Sequence, residues 1–262
     1  MKNKQYIKSA ILFMILIFIF PIVFMILKKD DYSETENRPL KNFPEISAQN
    51  IIDKSYMNGI EAYLSDHFPF RINWVKAKMT AERLSGKSAI NNIYICSDRM
   101  LEKLPEPDYR EINLSVNAVN KFSDTYDTEV YALIAPTSAG IYGDELKDYF
   151  PQINQKSLIA DIYNKLNEDI GVIDIWDAMY TERDKYLYYR TDHHWTSEGA
   201  FTAYKYAAKK MGITSFEDYD IIHVSSDFRG TFYSKCLYDG LKPDIINLYT
   251  VSYTHLTLPT IA

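Results

Sequence analysis

Ala10 to Leu27 is an unbroken apolar run, Ile11-Leu12-Phe13-Met14-Ile15-Leu16-Ile17-Phe18-Ile19-Phe20-Pro21-Ile22-Val23-Phe24-Met25-Ile26-Leu27. A helix of that length and composition can span a bilayer. Lys28-Lys29-Asp30-Asp31 follows directly, with no small-residue cleavage site of the A-x-A kind, so the segment reads as a retained anchor. A secretory signal would place the body in the same compartment. Lys2, Lys4 and Lys8 precede the run, and the positive-inside rule then puts the N-terminus in the cytoplasm and the body outside. The expected organisation is a cytoplasmic stretch 1–9, an anchor 10–27, a stalk 28–50 and a domain 51–250.

The 262 residues carry a formal net charge of −6, and the sequence pI is about 5.4. Phosphate backbones are bound by concentrated Lys and Arg, which no segment supplies, so a nucleic-acid partner is not expected. Aromatic residues make up 15%, with 22 Tyr against 13 Phe. Amphipathic tyrosine suits a carbohydrate-facing cleft, although core packing is the plainer account. Cys96 and Cys236 are the only cysteines. They could pair outside the cell, but they lack the C-x-x-C spacing of a thiolate metal or redox site.

Beyond the anchor, Pro39 and Pro44 interrupt a polar stretch from Asp31 that reads as extended. Helical spacing predicts helices over 51–68, 74–84 and 109–126, while Ile93-Tyr94-Ile95 and Met100-Leu101 flank Ser97-Asp98-Arg99 as a hairpin. Val130 to Ala135 is a short buried strand closed by Pro136. A helix over 153–169, a strand over 171–175 and a helix over 198–211 follow, the last ending in Lys209-Lys210 before Gly212. Alternation of this kind implies an α/β domain with a parallel sheet, whose ligands sit beyond the carboxyl ends of strands. Pro136 to Gly140 and Arg190 to Ser197 fall at such ends. No G-x-G-x-x-G or Walker motif occurs, so no nucleotide cofactor is expected.

Thr191-Asp192-His193-His194-Trp195 follows Tyr186-Leu187-Tyr188-Tyr189, which reads as an aromatic strand, and precedes a helix that Thr196 or Ser197 can cap. In an extended segment, Asp192 and His194 share a side and His193 projects to the other. A carboxylate beside an imidazole can fix its tautomer and stabilise the imidazolium formed when it deprotonates a nucleophile. Equally, the pair can do no more than satisfy backbone donors. A metal would draw on Asp192, His193 or His194 with His67 or His223. Zinc takes three or four such ligands, and adjacent histidines lack H-x-x-x-H spacing, so no metal is expected.

Asn37-Arg38-Pro39-Leu40 with Phe43-Pro44, Tyr63-Leu64-Ser65-Asp66-His67-Phe68-Pro69-Phe70-Arg71, Ala135-Pro136-Thr137 with Ile141-Tyr142, and Thr191-Asp192-His193-His194-Trp195-Thr196 together resemble the DHHW protein family. That family is related to the AlgX/AlgJ group of SGNH-hydrolase-like polysaccharide O-acetyltransferases. The resemblance implies an extracytoplasmic SGNH-like three-layer α/β/α domain that acts on cell-surface polysaccharide, with a membrane-bound acetyl-donor protein as a further partner. It also implies that Asp192 and His194 are the Asp and His of a Ser-His-Asp triad, His194 acting as general base and then acid and Asp192 orienting it, with the serine downstream. A non-catalytic polysaccharide-binding or scaffold module is the alternative.

Ser225, Ser226 and Ser234 lie downstream but not in a G-x-S or D-S setting, and Ser138 lies upstream, against the family order. Val251-Ser252-Tyr253-Thr254-His255-Leu256-Thr257-Leu258-Pro259-Thr260 back-translates to a transposon-end sequencing adapter. Residues 251–262 are therefore expected to be non-native and poorly packed, with the nucleophile lost alongside the native C-terminus.

Overall fold

A computed structural model describes residues 2–146 and 153–250. The tail 251–262 lies outside the described residues. Contacts divide the chain into a unit ending at Ser85 and a unit beginning at Gly86.

In the first unit, α1 (Lys2–Ile26) contains one segment long and apolar enough to cross a membrane, Tyr6–Ile26. At 1.5 Å per residue its 21 residues extend about 31 Å, the thickness of a hydrocarbon core. The connector is not simply extended. Its strands β1 (Tyr32–Ser33) and β2 (Arg38–Pro39) pair antiparallel, and Leu40 N–H closes the turn on Asp31 O at 2.8 Å.

The helix expected over 51–68 divides into α2 (Ala48–Ile52) and α3 (Ser55–Asp66), because Lys54 adopts a left-handed φ of 64° between them. After α3, Phe70 (φ 58°) turns the chain into α4 (Arg71–Leu84). Arg38 grips Asp66 through two hydrogen bonds of 2.6 and 3.0 Å, and Glu36 pairs with Arg71. The Arg38 hydrogen bonds, with the Lys41 N–H and the Arg71 charge, outweigh burial and hold the Asp66 carboxyl down at about 2.

The second unit opens with β3 (Ala89–Ile90), β4 (Ile93–Ile95) and β5 (Met100–Glu102), an antiparallel sheet in the order β3-β4-β5. The expected hairpin is β4–β5, closed by Cys96 N–H to Arg99 O at 2.9 Å. Helix α5 (Tyr109–Thr125) starts where the Asp108 carboxylate accepts from the N–H groups of Arg110 and Glu111. Strand β6 (Tyr131–Ala132) runs parallel to β7 (Gly171–Val172). Between them lie α6 (Ser138–Ile141) and α7 (Gln155–Tyr163).

This parallel ladder is far shorter than Val130–Ala135 and 171–175 promised. Past its end Tyr163 takes over, accepting from Ile134 N–H at 2.7 Å and donating to Ile173 O at 3.2 Å. Among the described residues this is the only parallel pair, so the structure is mixed helix and strand, with a parallel ladder of two short strands.

Helix α8 (Trp176–Thr181) then leads to α9 (Ser197–Lys210). Thr196 caps α9 by accepting from Gly199 N–H. At its other end Gly212 (φ 70°) lets Ile213 N–H reach Ala208 O at 2.8 Å and its own N–H reach Lys209 O, a Schellman closure. Strands β8 (Asp220–Phe228) and β9 (Asp244–Thr250) form an antiparallel ribbon with register shifts, and α10 (Thr231–Cys236) lies between them. The core gathers Tyr94, Leu101, Ile141, Ile175, Met179 and Leu187. Both cysteines are free thiols, and burial pushes each up to about 11.

Candidate active site

The segment before the motif does not run as a strand. Tyr188 makes a single bridge with Trp195, flanked by Tyr189 N–H to His194 O at 3.2 Å and Thr196 N–H to Leu187 O at 2.8 Å. Residues 190–193 thus form the tip of a tight loop. Tyr188 ties it to Pro136–Gly140 by donating to Pro136 O at 2.6 Å.

The tip is held from below by Asp244, which is 0% exposed. One of its oxygens accepts from Arg190 N–H at 2.7 Å and from the Tyr186 hydroxyl. The other accepts from Thr191 N–H at 2.8 Å and the Thr191 hydroxyl at 2.5 Å. Burial first, then the Asp244 carboxylate, pushes the Tyr186 hydroxyl up, so it remains a donor. Thr191 Oγ1 in turn accepts from Gly230 N–H at 3.0 Å, and Thr191 O accepts from Phe232 and Tyr233. The loop is thereby fastened to the start of α10.

Asp192, 3% exposed, faces that same helix start. Its Oδ2 accepts from Thr231 N–H at 2.7 Å. Its Oδ1 accepts from His194 twice, from the backbone N–H at 3.0 Å and from ring Nδ1 at 2.6 Å. Burial pushes the carboxyl up, but the hydrogen bonds from Thr231 and His194 outweigh it and hold the group below its ordinary value. Gly230 makes room for this contact. A Cβ there would sit 2.3 Å from both the Cβ and Oδ2 of Asp192.

The Asp192–His194 pair therefore forms, but not by alternation. Asp192 Oδ1 accepting from the N–H two residues on is an Asx turn, which curls the backbone and brings both histidines to one side. Their rings lie 3.7 Å apart between centroids at 38°. His193 Nδ1 is 2.8 Å from Thr231 Oγ1 and 3.5 Å from Asp192 Oδ1. The His194 side chain is 66% exposed, leaving its Nε2 edge toward solvent. Nδ1–H donation to the carboxylate is the arrangement that leaves Nε2 as an acceptor.

The remaining candidates lie elsewhere. Ser138 is buried in the first turn of α6. Ser226 bonds His223, whose other nitrogen faces Asn247 Oδ1 at 3.2 Å on the β8–β9 ribbon. Ser225 accepts from Asp227 N–H, and Ser234 donates to Gly230 O. His67 meets Lys41 O through Nε2. No serine among the described residues hydrogen-bonds His194. Asp244, Thr231 and Gly230 escaped sequence reasoning because they lie 38 to 58 residues from the groups they hold.

The DHHW protein profile matches residues 109–257. A DHHW family protein from Eubacterium siraeum superposes with a TM-score of 0.54 at 22% identity, covering 63% of this chain and 56% of that one. Bacillus cereus PatB1, in a structure with a sulfonyl adduct, gives 0.51 at 20%, covering 61% and 56%. The O-acetyltransferase domain of Pseudomonas putida AlgJ gives 0.49 at 16%, covering 61% and 64%. The chain thus spans less than two thirds of each. At such identities the first two matches establish a shared fold. No curated protein sequence matches.

Proposed function

The chain belongs to the DHHW protein family, and from that premise we propose that it is the anchored, outward-facing part of an acyl-transfer enzyme of the SGNH-like kind, acting on cell-surface polysaccharide. The observation that carries the reading is the 2.6 Å contact of His194 Nδ1 with a nearly buried carboxylate, while the rest of the imidazole faces solvent. In this reading the domain plan is an anchor 10–27 with its N-terminus inside, a connector 28–50, a catalytic body 51–250 and a non-native tail 251–262. The serine, in this reading, is one that the described residues do not bring to His194.

The chemistry follows from the pair. His194 Nε2 takes the serine proton as Oγ attacks the acetyl carbonyl, and Asp192 stabilises the imidazolium. Collapse expels the donor's oxygen, which takes that proton, and leaves an acetyl-serine. A sugar hydroxyl then attacks the acetyl group, again losing its proton to Nε2, and the serine leaves with that proton. The sulfonyl adduct of PatB1 agrees with a nucleophile in that protein. In the same unit, Phe201, Tyr204, Phe216, Tyr219 and Tyr249 line a recess of about 200 Å³ suited to stacking on a sugar.

That recess also favours the alternative, a polysaccharide-binding module without turnover. Intact-mass analysis separates them. A chain completed with its native C-terminal sequence and exposed to an activated acetyl ester is expected to gain one acetyl group on serine, and Asp192→Asn and His194→Ala are expected to lose it. Polysaccharide binding without any acetyl-enzyme would leave the module reading.

A further inference from the structure

The Asx turn that builds the dyad has a second consequence. Asp192, His193 and His194 can each turn one ligand atom to a common point, these atoms all lying within 4.8 Å of one another. Tetrahedral zinc bonds imidazole and carboxylate at about 2.0–2.2 Å, which separates neighbouring donor atoms by about 3.3 Å. The His193–Asp192 edge is already 3.5 Å, and the His194–Asp192 edge is 2.6 Å. Withdrawing the His194 ring by about 0.7 Å brings that second edge to the tetrahedral value as well. Asp192 is fixed beforehand by the Thr231 N–H at 2.7 Å, and both imidazoles are solvent-accessible. Binding would thus need no reordering of the carboxylate, and a fourth position is open to water. The missing H-x-x-x-H spacing does not matter here, because the turn rather than a helix makes the rings converge.

We propose that Asp192, His193 and His194 form a site for a borderline transition-metal dication such as zinc, and that its occupancy excludes the catalytic dyad. The metal takes His194 Nδ1 from Asp192, so the Nδ1 proton passes to Nε2 and that nitrogen ceases to be a base. The protonation balance is unchanged, because a proton moves between the two nitrogens of one ring. The inhibitory half rests on the acyl-transfer reading above; the binding half does not.

Zinc chloride is titrated into the purified full chain in detergent, with a chromogenic chelator as competitor and cobalt substitution reporting the ligand field. One metal per chain is expected at a micromolar Kd, weakened about tenfold or more by His193→Ala, His194→Ala or Asp192→Asn and unchanged by His223→Ala. Circular dichroism of each variant shows whether the loss is local. Absence of saturable binding up to about 100 µM zinc, or binding indifferent to His193→Ala, overturns the site. In the completed chain, zinc is expected to slow acetyl-ester turnover reversibly, with the fold-inhibition reduced in His193→Ala relative to its own zinc-free rate. Turnover that persists with the site saturated overturns the exclusion. Binding as expected, in a completed chain that lacks turnover even without zinc, overturns the acyl-transfer reading and leaves the metal site standing.

Discussion

Asp244→Asn is expected to destabilise the second unit by about 3 kcal/mol while leaving it folded. The wild-type carboxylate accepts from four donors, two on each oxygen, with no solvent access. Asparagine keeps one oxygen and presents an NH₂ group in place of the other. With its oxygen toward Thr191, the amide nitrogen faces Arg190 N–H; flipped, it faces Thr191 N–H. The Tyr186 hydroxyl could rotate to accept, but a backbone N–H cannot. Either orientation orphans one backbone donor, a cost of about 1–3 kcal/mol, and strips charge assistance from the bonds that remain, about 1 kcal/mol each. Relief from burying a charge offsets part of that sum.

With a urea slope of about 2 kcal/mol per molar, the midpoint should fall by about 1.5 M. Trp176 and Trp195 report the unfolding of this unit, and Trp74→Phe removes the signal from the other. A fall of less than about 1 kcal/mol would refute the claim that these four contacts hold the motif loop.

Three further outcomes follow from the same contacts. Asp66 has its carboxyl held near 2 against about 3.9 unfolded, so its contribution is complete above pH 4 and lost as pH falls toward 2. After discounting for the part-exposed Arg38, Asp66→Asn should cost about 1 kcal/mol at pH 7 and progressively less in acid; thermal unfolding at both ends tests this, and a gap independent of pH contradicts it. Gly230→Ala should cost about 1–3 kcal/mol by calorimetry and abolish turnover in the completed chain, because its Cβ displaces Asp192; a variant with native stability and rate would show that the close approach is dispensable. Asp192→Asn should lose the fixed His194 tautomer in long-range nitrogen NMR correlations of this chain, and an unchanged tautomer would mean that something else orients the ring.

Local signals carried far where they were themselves local. The β4–β5 hairpin and the Thr196 cap and Gly212 closure of α9 stand where sequence spacing puts them. The strand over 130–135 was legible as apolar, but its extent depends on a partner, and β7 offers only Gly171–Val172. The ribbon β8–β9 carries the doublets Ile221-Ile222 and Ile245-Ile246 instead of alternation, and most of β8 is exposed, so no period-2 pattern announces it. At the site, the sequence marks Asp192 and His194 but suggests the wrong geometry. An aspartate followed two residues later by a free N–H prefers to turn, and that turn places His193 beside its neighbour. Asp244 belongs to the loop only through tertiary contact, which a local pattern cannot carry.

The most direct measurement is turnover of a chromogenic acetyl ester, in metal-free buffer, by the completed chain and its two single histidine variants. His194 alone donates to Asp192 at hydrogen-bond distance through its ring, whereas His193 leans on Thr231. His194→Ala should therefore lose activity by about 10²–10⁴-fold, the range for removing a general base, and His193→Ala should keep most of it. Equal loss in both variants, or full activity in His194→Ala, would contradict the account.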